Sequence, residues 1–185
     1  MGIMLATEAD IPQILEIYRP YVEKTTYSFE YTAPTLEEFT QRFRQITAQF
    51  PWLVYRQEGK ILGYAYGSAP FERAAYQWVG EVSVYLAEEA WGQGIGRALY
   101  HALEQIMACQ GYTKVYALVT QENAGSLAFH RAVGYREAFT VERCGFKMGR
   151  WLGVIWLEKL LNPVEKPEDA PTPVHKVVNI HRFFP

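Results

Sequence analysis

The spacing of apolar and polar residues along the chain predicts four helices and seven strands. Apolar side chains recur every three or four positions in four segments, which is typical of amphipathic helices, and these segments follow Thr7, Thr35, Gly94 and Asn123. Runs rich in β-branched and aromatic residues predict strands at residues 3–5, 52–56, 61–68, 81–86, 113–119, 136–143 and 151–159, with a loop over 144–150 between the last two. The order β-α-α-β-β-β-α-β-α-β-β predicts an α/β (α+β) fold with helices on both faces of a mixed central sheet.

The composition of the chain changes after residue 161. Prolines at 163, 167, 171 and 173 stand among charged residues, which predicts extended chain rather than packed structure. The last residues, His181 to Pro185, are apolar enough to dock on a partner subunit or on their own domain. We therefore expect a folded domain over residues 1–161 and a proline-rich C-terminal tail over residues 162–185.

A glycine-rich loop joins the predicted strand at 81–86 to the third helix. It reads Gly92-Gln-Gly-Ile-Gly-Arg97, so three glycines stand in five positions at a helix start. Unpaired backbone N–H groups and the positive end of the helix dipole favour a bound phosphate there. A P-loop would need Lys-Ser/Thr after the last glycine, and a dinucleotide loop would need glycine in place of Arg97. The loop therefore predicts a pyrophosphate site for a ligand other than an NTP or NAD.

This strand, loop and helix resemble the pyrophosphate site of the GNAT superfamily of N-acetyltransferases, whose loop reads Arg/Gln-x-x-Gly-x-Gly/Ala. Trp91 departs from that pattern, because the family usually has Arg or Gln at its position. The resemblance implies the acyl-CoA N-acyltransferase fold over residues 1–161, with acetyl-CoA as cosubstrate and a strand whose free backbone pairs with the pantetheine arm. The implied coenzyme contacts are Val84, Tyr85, Leu86, Gly92, Gln93, Gly94, Ile95, Gly96, Arg97 and Asn123.

Several separated matches resemble the phosphinothricin and methionine sulfoximine acetyltransferase branch of that family. The resemblance implies acetyl transfer to the α-amino group of a small amino acid or analogue, such as phosphinothricin, methionine sulfoximine or methionine sulfone. Phosphinothricin-resistance enzymes have His where this chain has Met148 and Leu152, so we expect poorer activity with phosphinothricin. The matches are Ala6-Thr-Glu-Ala-Asp10, Tyr-Gln-Trp-x-x-Glu81 with Ser-Val-Tyr85, Asn123 with His130, Gly134-Tyr135, and Gly145-Phe-Lys-x-Gly-x-Trp151.

Two residues are implied to act in catalysis. By resemblance Glu81 is the general base that accepts the proton of the amine; an ordinary Glu has a pKa near ~4.3, so burial beside Trp78 must raise it or a water must relay the proton. His130 lies seven residues after Asn123, where many acetyltransferases place a Tyr that protonates the departing thiolate, and His can donate a proton near neutrality. The alternatives are a surface carboxylate and a helix-surface imidazole without a role.

The acceptor side is less well defined by the sequence. Residues 25–34 are rich in aromatic and hydroxyl side chains and form either a wall of the substrate pocket or a loop packed on the core. Arg73, Lys147 or Arg150 could pair with an α-carboxylate, although solvated surface charge explains each of them as well. The candidate substrate-binding residues are Phe29, Phe71, Glu72, Arg73 and Ser83.

Composition narrows the class of protein. With 185 residues, 49% hydrophobic and 21% charged, and a net charge of −2, the chain has ordinary globular composition and no sign of a nucleic-acid or anionic-membrane surface. It shows neither a signal peptide nor an apolar run long enough for a membrane span, so we expect a cytoplasmic protein. Cys109 and Cys144 lie far apart and outside the central motif, so we expect no metal, no disulfide and direct transfer in a ternary complex.

Two other functions remain open from the sequence. One is acetylation of a protein N-terminus, which would need an open groove, or of a polyamine, which would need acidic lining. The acidic pairs at 37–38 and 88–89 are interpreted as solvated helix or loop ends. The other is a non-catalytic acyl-CoA sensor that signals through the tail. The GNAT family commonly forms dimers, and the aromatic-rich last strands are compatible with a homodimer.

Overall fold

The computed structural model describes residues 2–184 and contains the predicted helices and strands in the predicted order. The helices are α1 (Ile11–Lys24), α2 (Leu36–Thr47), α3 (Ile95–Gln110) and α4 (Ala124–Ala132). The strands are β1 (Gly2–Leu5), β2 (Trp52–Gln57), β3 (Lys60–Ser68), β4 (Val79–Leu86), β5 (Lys114–Thr120), β6 (Arg136–Lys147) and β7 (Arg150–Leu160). Within residues 2–184, no helix combines the length and the apolar character that crossing a membrane requires.

The strands form one mixed sheet in the order β1-β2-β3-β4-β5-β7-β6. β4 and β5 run parallel, and every other neighbouring pair is antiparallel. Because side chains alternate between the faces of a strand, Trp52 and Val54 pack with α1 and α2, whereas Leu53 packs with α3. The sheet therefore has a core on each face, and the α/β fold with helices on both faces is confirmed.

β6 is longer than the sequence indicates. The predicted loop over 144–150 is wrong, because Gly145, Phe146 and Lys147 continue the ladder opposite Leu152, Trp151 and Arg150. A register shift between Val141 and Gly145 absorbs the irregularity that interrupts the strand pattern. Only Met148 and Gly149 form the turn, and both have positive φ, at 50° and 77°, as in the two-residue turns that match strand twist.

The tail is packed on the domain, so the prediction of unpacked chain is wrong for its second half. Val174 and Ile180 are buried in the same core as α3. The side-chain amide of Gln110 donates to the carbonyls of Gln49 (2.7 Å) and Thr172 (2.8 Å), which ties the end of α3 to the tail. The apolar residues between Pro173 and Phe184 therefore dock on their own domain, one of the two alternatives that the sequence left open; Pro185, the end of the predicted docking segment, lies outside the described residues.

Candidate active site

β4 and β5 pair only at their beginnings and then separate. Cα partners run from Val79 with Lys114 to Glu81 with Tyr116, although β4 continues to Leu86 and β5 to Thr120. The backbone N–H of Ala87 donates to Leu62 on β3, so the odd-numbered residues of β4 turn their backbone toward β3 and the even-numbered residues toward β5. The separation therefore opens a gap into which the N–H and C=O groups of alternate β4 residues point.

Two tyrosine hydroxyls reach the β4 backbone at the ends of this gap. Tyr21 of α1 donates to the Leu86 carbonyl (2.7 Å) and accepts from the Leu86 N–H (3.4 Å). Tyr100 of α3 donates to the Val82 carbonyl (3.4 Å) or to His130. Val84 lies between them, and its N–H and C=O face the same gap. The gap is a cavity of about 70 Å³ lined by β4, β5, α3 and α4, and an extended amide chain could add to β4 there as a strand does.

The glycine loop lies at the carboxyl end of β4, beside the open end of the gap. Gly92 and Gly94 have φ of 74° and 79°, a backbone conformation that residues with a Cβ rarely adopt. Gly94 is the N-cap of α3 and has no side chain to cap the helix. The Gly94 carbonyl accepts a hydrogen bond from the Ala98 N–H, one turn into the helix. The N–H groups of the first turn, including those of Ile95 and Gly96, therefore have no carbonyl inside the helix and suit a phosphate.

Other predicted coenzyme contacts divide into backbone and side-chain groups. Ile95 is buried in the core, so it can offer a ligand only its backbone. Tyr85 is half-buried in aromatic contacts with Tyr64 and Tyr18, and its backbone faces β3, so it lines the gap without offering it a backbone group. Gln93 is exposed and its amide donates to the Glu89 carbonyl (2.5 Å). Arg97 is exposed in the first turn of α3, and Trp91 is 57% exposed just before the loop. Asn123 caps α4 by accepting from the Ser126 N–H (3.0 Å) and also lines the gap.

Glu81 is the last paired residue of β4, at the point where the strands separate. Its side chain shares a face with Ser83 and Tyr85, opposite the face that Val82 presents to α3. Burial raises the pKa of this carboxyl by desolvation, with no cation contributing. The direction is the one that a general base near neutral pH requires. Trp78, which the sequence placed against Glu81, instead donates its indole N–H to the Asp169 carbonyl of the tail (2.9 Å).

His130 occupies an environment that changes the role expected for it. It is 3% exposed, and burial lowers its pKa to about 4, so the imidazole is neutral at pH 7. Nδ1 lies 2.7 Å from the Ser126 carbonyl and must hold the ring proton there, which leaves Nε2 to accept from the Tyr100 hydroxyl at 3.0 Å. A neutral imidazole in this tautomer has no proton at Nε2 to give to a thiolate. The Tyr100 hydroxyl has one proton, which it gives to Nε2 or to the Val82 carbonyl, so it can donate to a ligand in the gap only by leaving these partners.

The five predicted substrate-binding residues fall into two groups, and only some of them lie on the face of the sheet that carries Glu81. Ser83 is two residues along β4, and Phe71 packs on Trp156 (6.0 Å between ring centroids) and on Tyr116, the β5 partner of Glu81. Phe29 lies in the segment between α1 and α2, against Gly145. The two charged candidates, at positions 72 and 73, are exposed in the segment after β3. The structure thus brings Ser83 and Phe71 to the face of Glu81.

Two of the three cations considered for an α-carboxylate already have protein partners. Lys147 is buried and donates to the carbonyls of Val22 and Ser28. Arg150 makes two hydrogen bonds with the carboxylate of Glu122, at 2.8 and 2.9 Å. Within residues 2–184, no group of three His, Cys, Asp or Glu side chains is placed to hold a metal ion.

Sequence analysis did not single out Tyr100 and Tyr21, whose hydroxyls reach the β4 backbone at the gap. Both belong to the apolar stripes of amphipathic helices, where a tyrosine is expected to pack like any other core residue. The signal that could have identified them is that a buried tyrosine hydroxyl requires a hydrogen-bond partner. Tyr21 and Tyr27 also line a larger groove of about 660 Å³ along α1, which continues from the gap past Leu86 to Trp91.

Comparison with known proteins identifies the group to which this architecture is similar. Residues 3–156 match the family model described as an acetyltransferase (GNAT) domain. The chain is 37% identical to the phosphinothricin N-acetyltransferase of Alcaligenes faecalis (86% of this chain, 82% of that one) and 35% identical to the L-methionine sulfoximine/L-methionine sulfone acetyltransferase of Pseudomonas aeruginosa (84% and 91%). It superposes on the Sinorhizobium meliloti phosphinothricin acetyltransferase in complex with acetyl-CoA with a TM-score of 0.88, at 35% identity (93% and 95%).

Proposed function

This chain belongs to the GNAT acetyltransferase family, and we propose that it transfers the acetyl group of acetyl-CoA to the α-amino group of a small amino acid or amino-acid analogue. It is an acetyl-CoA-dependent N-acetyltransferase of the branch that includes phosphinothricin and methionine sulfoximine acetyltransferases. One observation supports the proposal most strongly: Glu81 stands where β4 and β5 separate, with the glycine loop at the other end of the gap.

The gap fits the extended arm of acetyl-CoA. The backbone of Val84 offers one N–H and one C=O to an amide of the pantetheine arm, and the first turn of α3 offers N–H groups to the pyrophosphate. With both ends held, the thioester would lie toward Glu81. The coenzyme contacts that we propose are the predicted ones on β4, in the glycine loop and at Asn123, together with the hydroxyl of Tyr21.

In the proposed reaction, the amine nitrogen attacks the thioester carbonyl carbon and the new C–N bond replaces the C–S bond. Sulfur leaves with the electron pair of the broken bond. The proton lost by the amine passes to the Glu81 carboxylate, directly or through a water, and then to solvent. Because His130 is neutral and has no proton at Nε2, we assign the hydrogen bond to the sulfur to the Tyr100 hydroxyl, whose proton would turn from Nε2 toward the sulfur.

A second candidate function is acetylation of a protein N-terminus. The groove along α1 joins the gap through Tyr21 and Tyr27, and a peptide substrate needs an open groove of this kind. Its lining is mostly apolar, with Glu16, Glu88 and Glu89 among the lining residues. A small amino acid remains the first choice, because the two similar proteins named above act on amino-acid analogues.

The substrate class is tested by measuring thiol release from acetyl-CoA with a panel of amines. The panel holds methionine sulfoximine, methionine sulfone, phosphinothricin, the common L-amino acids, spermidine and an N-terminal peptide. We expect turnover with the amino acids and analogues, and lower kcat/KM for phosphinothricin than for methionine sulfone, because Met148 replaces a histidine. Turnover of the peptide alone would favour the second candidate, and coenzyme binding without any turnover would favour a sensor.

Glu81→Gln should lower kcat by about 10²–10⁴-fold and abolish the rise of kcat/KM with pH, because Gln accepts no proton. It should also raise the free energy of unfolding at pH 7. The folded-state pKa of Glu81 is raised, so the stability that its protonation contributes is present at low pH and lost as pH rises through that pKa. Urea unfolding between pH 4 and 8 measures this. Glu23→Gln, an exposed change on α1, is the control; equal turnover of parent and Glu81→Gln would remove Glu81 from the mechanism.

Tyr100→Phe should lower kcat by about 10- to 100-fold while leaving the KM for acetyl-CoA within about twofold, since a hydrogen bond to a charged atom is worth about 1.5–3 kcal/mol. Steady-state kinetics at saturating amine give both constants. Tyr135→Phe is the matched control, because that hydroxyl donates to Glu104 (2.8 Å) rather than facing the gap. A parental kcat in Tyr100→Phe would show that this hydroxyl does not act on the sulfur.

We also propose a homodimer that covers the outer strand of the sheet. β6 is exposed from Arg136 to Cys144, and Phe139 and Val141 add to the apolar surface of Leu118 on the face that carries Glu81. Phe139→Glu should shift the sedimentation coefficient from dimer to monomer, because it places a charge in the contact. Thr140→Glu, on the opposite face of β6, should leave the dimer intact. A monomeric parent protein at micromolar concentration would rule the dimer out.

A further inference from the structure

Three consecutive residues of β6 each contact the segment that joins α1 to α2, here called the α1–α2 loop (residues 25–35). Gly145 lies against the ring of Phe29. The Phe146 carbonyl accepts from the Tyr31 hydroxyl at 2.5 Å. The Lys147 ammonium donates to the Ser28 carbonyl at 2.6 Å. These contacts join residues more than a hundred positions apart, so they fix the place of the loop relative to the sheet.

Gly145 is required by the close approach of Phe29 rather than by its backbone conformation. A Cβ at position 145 would lie 2.3 Å from Cε2 of Phe29 and 2.7 Å from two other ring atoms. Such distances are far below van der Waals contact, so either the ring or the strand would have to move. Gly145 therefore allows the loop to lie directly on the end of β6.

Lys147 is only 4% exposed, which is unusual for a lysine. Its ammonium donates to the Val22 carbonyl (2.7 Å) as well as to Ser28. Val22 belongs to the last turn of α1, where carbonyls lack helical partners and the helix dipole favours a cation. Burial lowers the pKa of Lys147 by desolvation, and the two carbonyls offset part of the cost of burying its charge. Lys147 thus joins the end of α1, the loop and the end of β6.

The loop is connected to the strand that carries Glu81 through Tyr18 of α1. The Ser28 hydroxyl lies 2.8 Å from the Tyr18 hydroxyl in a buried hydrogen bond. The Tyr18 ring meets the Tyr85 ring edge-on, with 5.0 Å between centroids, and Tyr85 shares its face of β4 with Ser83 and Glu81. A chain of contacts therefore runs from Lys147 through Ser28 and Tyr18 to the proposed acceptor side of the site.

We propose that Gly145, Phe146 and Lys147 form a latch that holds the α1–α2 loop over the acceptor side and so sets the affinity for the amine. This inference rests on the proposed function, because it assigns the face of Glu81 to the amine. The backbone of Val84 and the glycine loop lie outside the latch. Although Tyr27 of the loop lines the gap, loss of the latch should therefore affect the amine far more than the coenzyme, which makes Gly145 and Lys147 positioning residues.

The test combines kinetics with amide hydrogen exchange of the full chain in Gly145→Ala and Lys147→Met. Both variants should raise the KM of the preferred amine about tenfold, a cost of ~1.4 kcal/mol. The KM for acetyl-CoA should stay within about twofold. Exchange across residues 25–35 should accelerate in both variants, while exchange in α3 stays as in the parent. Lys166→Met, a change at an exposed lysine of the tail, is the control.

A double variant separates the latch from general destabilisation. Phe29→Ala removes the ring that a methyl group at position 145 would strike, so adding it to Gly145→Ala should restore slow exchange at Ser28 and Tyr31. Exchange of residues 25–35 at the parental rate in both single variants would overturn the latch. Faster exchange with an unchanged amine KM would overturn its role in amine affinity. If the parent protein acetylates no amine, the proposed function fails, and exchange still decides whether the latch exists.

Discussion

The early end of the hydrogen-bonded ladder between β4 and β5 is the constraint on which the site depends. A parallel pair that stops after three residues leaves backbone donors and acceptors in the interior, and such groups must find other partners. The Tyr21 hydroxyl bonds to both the C=O and the N–H of Leu86, and the Tyr100 hydroxyl lies within hydrogen-bond distance of the Val82 carbonyl. Between them the backbone of Val84 faces the gap, where a ligand amide would complete the ladder. Binding of the coenzyme and completion of the sheet are then one event.

The ability of Glu81 to accept a proton depends on the absence of a cation beside its carboxyl. The pKa of Glu81 is raised because the carboxyl is desolvated, and a nearby cation would oppose that shift. Two of the three cations considered for the acceptor side are bound elsewhere: Lys147 by two carbonyls and Arg150 by Glu122. His130 is neutral because it is buried with the ring of Tyr100 beside it. The site therefore relies on neutral donors and one carboxylate, which suits removal of a proton from an amine.

The sequence was sufficient to predict the order of elements and the glycine loop, because both depend on local patterns. Periodicity reports which face of an element is buried, and three glycines at a helix start report a backbone that can approach a phosphate. Neither reports contacts between distant residues. The tail docks through Gln110, Gln49 and Thr172, although its composition predicted an unpacked chain. Lys147 binds carbonyls of α1 and of the segment that follows it, although the sequence indicated either a ligand for an α-carboxylate or a solvated surface charge. Likewise, the partner that gives Tyr100 its position, His130, lies on another helix.

The most direct test of this account is the hydrogen exchange rate of the Val84 amide, measured by NMR with and without saturating acetyl-CoA. We expect the Val84 N–H to exchange readily in the free protein and to be strongly protected in the complex. The Tyr85 N–H, which faces Tyr64 on β3, should be protected in both states and serves as the internal reference. An unchanged Val84 rate at saturation would contradict the claim that the coenzyme completes the sheet at this gap.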